Sequence, residues 1–266
     1  MQYSTLVFAL LAAVASAAPL EENPFPGAKE YTPGQHIDDS EVIVPVKDTA
    51  YVVKEDVYLA KLKAQGIKIG APELDPKWVR RDINVNDLPE RDEAAIAHDK
   101  RDDCSGTNYI VTDKTETFVD WDVQMSPVAC AIGADMDISV SSGYTISNSV
   151  GGSAGTDLTF VADRLGASLG VNYSKTWTTL TSVVTKGTVK DGFCGTVITK
   201  PTTTRRSGRQ FRGCIGSATE VGTWYADDRG HGSYNGITWI DGAISTCSKP
   251  GSNPPLSRCN GQGNFH

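Results

Sequence analysis

The sequence lacks several features that would point directly to a function. No apolar stretch reaches the roughly 18 residues that a membrane-spanning helix requires. No two cysteines have the CxxC spacing typical of zinc sites and dithiol redox centres. Residues 102–266 carry 15 acidic and 13 basic side chains, whereas a nucleic-acid binder needs a basic surface. We therefore expect no metal, no cofactor and no nucleic-acid partner.

The N-terminus has the pattern of a secretory signal peptide. An apolar run from Leu6 to Val14 is followed by Ala15-Ser16-Ala17, a small-x-small cleavage signal. The run is too short for a membrane anchor. The sequence therefore predicts a signal peptide over residues 1–17 and a secreted, extracellular protein.

Residues 18–101 differ in composition from the remainder of the chain. They contain no cysteine, are rich in Asp and Glu and are repeatedly interrupted by proline. Such a segment buries little apolar surface by itself, so we predict a mostly irregular, acidic pro-segment. One short helix is predicted from Tyr51 to Gln65, with Gly66 in the position of a C-cap.

Two dibasic pairs in this segment suggest proteolytic maturation. Arg80-Arg81 and Lys100-Arg101 each precede an Asp, and they resemble sites for a kexin-type processing protease. The second pair lies where the composition changes, so we predict that the pro-segment is removed after Arg101. The alternative is an acidic linker that stays attached. Residues 102–266 would form the mature domain.

All six cysteines lie in the mature domain: Cys104, Cys130, Cys194, Cys214, Cys247 and Cys259. An even number in an exported segment predicts three disulfides. Fifteen pairings are possible. We expect the sequential pairing, which is Cys104 with Cys130, Cys194 with Cys214, and Cys247 with Cys259. Sequential pairing would leave the interval from Cys130 to Cys194 without a crosslink, free to move.

Alternating hydrophobicity predicts strands through most of the mature domain. From Leu165 to Trp177 every second residue except Lys175 is apolar or aromatic, the period of a strand with one wet and one dry face. Turn signals such as Asp191-Gly192 and Ser207-Gly208 separate further short strands. The predicted fold is all-β, either an elongated antiparallel domain or a sandwich, stapled by three disulfides.

Three groups of residues are candidates for function. The first is an acid–base group formed by His231 with Asp227 or Asp228, for which a solvated turn is the alternative. The second is an anion-binding patch at a predicted hairpin tip, where guanidinium groups flank Ser207-Gly208. Its members are Arg205, Arg206, Arg209 and Arg212. Acidic lipid headgroups and anionic glycans are possible ligands, and a solvated hairpin is the alternative.

The third candidate is a glycosylation acceptor. Asn172-Tyr-Ser174 has the acceptor pattern and lies within the predicted strand, so glycosylation would require that face to point to solvent.

The aromatic residues of the predicted strands have two interpretations. Most such residues belong to a core, but some could form a carbohydrate-binding or membrane-interface surface. The residues concerned are Trp121, Trp177, Trp224, Tyr225 and Trp239.

The stretch over residues 135–200 resembles the pore-forming module of aerolysin-like β toxins. The resemblance rests on the Ser/Thr-rich segment from Ser141 to Ser149, a Gly/Ser break, and the segment from Leu158 to Trp177. In that family an amphipathic hairpin packs on the body of the protein and later unrolls into a membrane barrel. The resemblance implies oligomers on membranes.

The whole chain resembles secreted, kexin-processed effector-like proteins of filamentous fungi, which share the signal, the acidic pro-segment and the cysteine-stapled β domain. Three functions stay open at this point. The first is a non-enzymatic effector or binding protein, activated by removal of the pro-segment and acting on a host or competitor cell through its membrane or a cell-surface glycan. The others are an aerolysin-like pore former and a small secreted hydrolase or nuclease.

Overall fold

The computed structural model describes residues 23–74, 81–83, 104–179, 186–234 and 237–266. The predicted signal peptide, Arg80 and the pair Lys100-Arg101 lie outside these residues. Strands predominate in the described part, which also contains two α-helices, and the largest sheet is mostly antiparallel. The prediction of an all-β fold with three disulfides is confirmed.

The N-terminal segment, residues 23–74, contains five strands and one helix, and residues 81–83 form a sixth strand. They are β1 (Lys29–Glu30), β2 (His36–Ile37), β3 (Glu41–Val46), β4 (Thr49–Lys54), α1 (Glu55–Ala64), β5 (Lys68–Ile69) and β6 (Arg81–Ile83). The C-terminal part begins with a short 3-10 helix, Cys104–Gly106. Its first elements are β7 (Asn108–Val119), β8 (Val123–Gln124), β9 (Ala129–Cys130), β10 (Met136–Ser139), β11 (Thr145–Ser147), β12 (Ser149–Gly152) and α2 (Leu158–Leu169). The remaining strands are β13 (Thr176–Thr178), β14 (Lys186–Val189), β15 (Phe193–Arg212), β16 (Thr219–Arg229), β17 (His231–Tyr234), β18 (Ile237–Ile240), β19 (Gly242–Pro250), β20 (Leu256–Ser257) and β21 (Asn264–Phe265).

The large sheet is built around β15, which is 20 residues long. Its first half pairs antiparallel with β19, β8 and β9, and its second half with β16 and β7. Thr is frequent along it, and its β-branched side chain fits a pleated surface. Partners along both halves make β15 a central strand.

The turn predicted at Ser207-Gly208 is wrong, because both residues lie inside β15. A Cβ atom added at Gly208 would meet the Val111 carbonyl oxygen at 1.9 Å and the Trp224 ring at 2.9 Å. The glycine therefore permits a close approach between neighbouring strands rather than a reversal of the chain. The arginines on either side of it follow the strand instead of crowding a hairpin tip.

The strand predicted from Leu165 to Trp177 is also wrong over its first part, because residues up to Leu169 belong to α2. Asp157 caps the helix N-terminus, since its Oδ1 accepts a hydrogen bond from the Phe160 N–H at 2.9 Å. Gly170, in the left-handed conformation with φ 68°, ends the helix.

The buried face of α2 shows why the helix forms. Its residues recur at helical spacing and pack on β12 and β16; they are Leu158, Val161, Ala162 and Leu165. Of the strand predicted from Leu165 to Trp177, only the end that belongs to β13 is a strand in the structure. A helix therefore occupies the place of the strand on which the resemblance to a pore-forming module rested.

The prediction of a mostly irregular pro-segment is wrong for residues 23–74. The helix is shorter than predicted, because Tyr51 and its neighbours belong to β4, and α1 begins at Glu55. The segment also joins the rest of the fold: β3 pairs with β19, β2 with β14, and β5 with β7. Low average hydrophobicity does not prevent folding here, because the apolar residues of the segment pack on one another and on apolar residues of the C-terminal part.

The disulfides are Cys104–Cys214, Cys130–Cys194 and Cys247–Cys259. Sequential pairing is therefore wrong for the first two bonds and correct for the third. Cys130 and Cys194 are direct neighbours across β9 and β15, so strand register determines that bond. The interval from Cys130 to Cys194 is consequently closed by a crosslink, contrary to the prediction that it is free.

We expect Asp157→Ala to lower the free energy of unfolding by about 1 kcal/mol, because it removes the N-cap of α2. Asp163, an exposed residue of the same helix, provides the control. Asp163→Ala should change the free energy of unfolding by no more than about 0.5 kcal/mol. Chemical denaturation measures both values. Equal effects of the two substitutions would contradict a capped helix at this position.

Candidate functional site

The predicted acid–base group is not brought together. His231 is exposed at the start of β17, whereas Asp227 is buried and paired with Arg205. Asp228 follows Asp227 along β16 and so points to the opposite face of the sheet. There its Oδ2 lies 3.9 Å from Nη1 of Arg206. Each of the two carboxylates therefore lies beside an arginine, and among the described residues no ion pair joins either of them to His231.

The predicted anion-binding arginines lie on two faces of β15, not at one tip. Arg205 and Arg209 alternate with Arg206 and Arg212 along the strand. Arg209 donates from Nε and Nη2 to the Asp113 carboxylate, at 2.8 Å and 2.9 Å. Much of the positive charge is therefore compensated within the protein.

Asn172 lies in a turn after α2, not within a strand. Its side chain is exposed, and Oδ1 accepts a hydrogen bond from the Ser174 N–H at 2.9 Å. The solvent exposure that an N-linked glycan requires is thus present, and glycosylation stays a prediction.

The best candidate site is a cleft of about 850 Å³ on the face of the sheet opposite to α2. Strands β15 and β16 form its floor, and residues 120–121 and 147–149 form its sides. Residues 261–262, near the C-terminus, and residues 71–74, from the N-terminal segment, complete it. Six separate parts of the chain therefore converge on one concave surface, the usual setting of a ligand site.

A buried ion pair forms the floor of the cleft. Arg205 donates from Nε and Nη2 to the two carboxylate oxygens of Asp227, each at 2.6 Å. Its guanidinium carbon lies 5.0 Å from the centre of the Phe118 ring and 5.5 Å from that of Tyr225. Burial raises the pKa of Asp227, and the hydrogen bonds from Arg205 oppose that rise. The bidentate geometry fixes both side chains.

A second ion pair stands beside the first. Nη2 of Arg229 lies 3.1 Å from Oδ2 of Asp120, and Nη1 donates to the Ser147 carbonyl oxygen at 2.5 Å. The backbone N–H of Arg229 donates to Oδ1 of Asn148 at 2.8 Å. The cleft thus holds alternating guanidinium and carboxylate groups in fixed positions.

Two polar atoms of the cleft residues have no hydrogen-bond partner within the described part of the protein: Oη of Tyr225 and Nε of Arg229. Buried polar groups are usually hydrogen-bonded, so these two atoms are exceptions, and the end of the Tyr225 side chain lies directly over Gly151. Both lie on β16, next to the two ion pairs.

Trp121 supplies an aromatic surface at the rim, with 40% of its area exposed. One side of the indole lies against Gly261, where an added Cβ would meet the ring at 2.5 Å. Oδ1 of Asp120 accepts a hydrogen bond from the Trp121 backbone N–H at 2.8 Å. The ring is therefore held in position while part of it faces solvent.

Sequence analysis predicts only part of this cleft. Arg205 and Asp227 are among the candidate residues, but in other pairings, and Trp121 and Tyr225 are interpreted mainly as core. Asp120, Asn148 and Arg229 are missed. Nothing local in the sequence indicates them, because their roles depend on which strands are neighbours.

The cleft has few of the groups that catalysis requires. Its described lining contains no histidine or cysteine. Asp227 is a poor general acid, because both of its oxygens accept hydrogen bonds from Arg205. Elsewhere in the described residues, Asp122 lies close to Cys247 and Cys259, but those sulfurs form a disulfide and offer no thiolate to a metal.

Fold and disulfides together define the class of the protein: an all-β protein with three disulfides, which fits an oxidising, extracellular environment. Comparisons with known protein families, with curated proteins and with solved structures found no match to this chain. Neither helix of the described residues has the length and apolar character needed to cross a membrane.

We expect Asp227→Asn to lower the free energy of unfolding by about 3 kcal/mol or more, because it leaves the buried Arg205 without its counter-charge. Asp113→Asn is the matched control, since it breaks the more exposed pair with Arg209 and should cost about 1 kcal/mol or less. Urea unfolding of both variants provides the test. Similar losses would show that the floor of the cleft is not held by this pair.

Proposed function

We propose that this is a secreted, non-enzymatic binding protein that recognises a neutral glycan on the surface of a host or competitor cell. The cleft with Trp121 at its rim is the binding site. The observation that carries the proposal is the exposed indole of Trp121 beside two fixed Arg–Asp pairs. Secretion is supported by the signal-peptide pattern and the three disulfides.

The charges of the cleft favour a neutral ligand. Arg205 and Arg229 are each paired with a carboxylate, and Glu73 adds a further negative charge to the lining. A phosphate, sulfate or carboxylate ligand would meet these carboxylates as well as the guanidinium groups. Sugar hydroxyls both donate and accept hydrogen bonds, so they can use guanidinium N–H groups and carboxylate oxygens together.

The aromatic ring supports the same ligand class. A partly exposed indole offers an apolar face, and the C–H surface of a sugar ring is the apolar side of an otherwise polar ligand. The ring is already held by Gly261 and by the backbone contact with Asp120, so little side-chain ordering is needed on binding.

The alternatives have less support. A pore former needs strands of about 9 to 11 residues to cross the hydrocarbon, but β11 and β13 have three residues each and α2 separates them. A hydrolase or nuclease usually needs an acid and a base acting together. In the described lining the buried carboxylates are bound to arginine, which leaves Glu73 as the remaining acidic side chain.

We expect Trp121→Ala to weaken glycan binding about tenfold or more, equivalent to about 1.4 kcal/mol, because it removes the stacking surface. Trp121→Phe should retain part of the affinity. Ile215→Ala is the control, because Ile215 is 93% exposed and lies outside the cleft. A glycan array identifies a ligand, and calorimetry then measures its affinity for each variant. Exclusive binding of acidic glycans, or full binding by the Trp121→Ala variant, would contradict the proposal.

The pore-forming alternative is tested by dye release. A binding protein should release no dye from liposomes of neutral or anionic phospholipids, whether or not the chain has been cut by a kexin-type protease. A known pore-forming protein serves as the positive control. Release by the cut chain, together with heat-resistant oligomers, would favour the pore former instead.

A further inference from the structure

We infer that residues 23–74 are a permanent structural part of the protein, which stays bound to residues 104–266 after the chain is cut once, after Arg101. Processing then yields a two-chain protein rather than a free mature domain. The inference concerns an interface within the chain and does not depend on the identity of the ligand.

Backbone pairing attaches the N-terminal segment at three separate strands. Ile43 of β3 pairs with Ile244 of β19, and Ile37 of β2 pairs with Gly187 of β14. Strand β5 runs parallel to β7, with Ile69 opposite Val119. A segment that leaves would break all three pairings together and leave strand edges of the C-terminal part without these partners.

Two apolar clusters contain residues from both parts of the chain. In one, Val42 and Leu62 of the segment pack with Val119 and Ala243. In the other, the segment residues Tyr31, Ile37, Ile43 and Ala50 pack with C-terminal residues that include Met125, Val197, Ile240 and Ile244. Val42, Ala50 and Ala243 have no measurable exposure. Departure of the segment would therefore open core surface to water.

Polar contacts across the same interface are specific. Lys200, a buried lysine of β15, pairs with Glu55 at the start of α1. Lys68 pairs with Glu116 of β7 at 2.7 Å. Loss of the segment would remove the carboxylate partner of Lys200, a side chain that is buried in the intact protein.

The segment also contributes to the candidate site. Nη1 of Arg205 donates a hydrogen bond to the Pro72 carbonyl oxygen at 3.1 Å, and residues 71–74 line the cleft. The binding site as described is therefore complete only while the segment is bound. A released pro-segment would remove one wall of the site.

The test uses the secreted full chain with residues 97–101 replaced by the recognition sequence of a site-specific protease, so that one complete cut is made. We expect the two fragments to elute together in size-exclusion chromatography and to give one species in native mass spectrometry. They should separate only in denaturant. Spontaneous release of the N-terminal fragment, whatever the state of the remainder, would overturn the inference.

A pair of variants links the result to this interface. Ile43→Ala should lower the urea concentration at which the cut fragments separate, because Ile43 is 2% exposed and contacts β19. Val57→Ala should leave it unchanged, because Val57 lies in the same segment and is 52% exposed. Identical midpoints for the two variants would count against the interface.

Tyr58 provides a second readout of the same interface. Burial raises the pKa of Tyr58 to about 12, and the Asp241 carboxylate adds to the rise, while hydrogen bonds with Thr202 and Ala243 oppose it. The phenol should therefore titrate near pH 12 in the cut protein, as in the intact one, measured as the absorbance difference from Tyr58→Phe. Titration of Tyr58 at a lower pH in the cut protein than in the intact protein would show that the segment has left. Failure to bind a glycan would leave this result unaffected.

Discussion

The pairing of β15 with its neighbours is the constraint on which the rest of the structure depends. Its register places Cys194 opposite Cys130 and Arg205 opposite Asp227. It also places Arg212 opposite Asn108, near the ends where Cys104 and Cys214 are bonded. Two of the three disulfides and the main ion pair of the cleft therefore follow from one set of backbone hydrogen bonds, since register decides which side chains are neighbours.

The all-β class could be predicted from the sequence because alternation and turn residues report on local structure. Helix α2 was missed for a physical reason: between Leu165 and Leu169 the apolar positions fit both a period of two and a helical spacing. Asp157 before the run and Gly170 after it were the signals that distinguish a helix. The disulfide pairing and the partners of Asp227 depend on contacts distant in sequence, so no local pattern indicates them.

The N-terminal segment shows a different limit of sequence reasoning. Average hydrophobicity measures what a segment can bury by itself, but the segment also buries Ile43 and Ala50 among apolar residues of the C-terminal part. Composition therefore cannot separate a discarded pro-segment from a structural one. The contacts of Ile43 and Glu55 with the C-terminal part are the observations that favour our proposal of a structural segment.

The cleft connects processing with binding. Its floor, Arg205 with Asp227, belongs to the central sheet. The disulfide Cys130–Cys194 holds β15, the strand that carries Arg205. A cut outside the described residues therefore need not disturb the floor. Its wall at Pro72 belongs to the N-terminal segment and is joined to the floor by a single hydrogen bond from Arg205. Under our proposal, a cut after Arg101 leaves Pro72 attached to strands that remain paired with the C-terminal part. Processing would then free a chain end without removing the wall, which makes maturation compatible with an intact binding site.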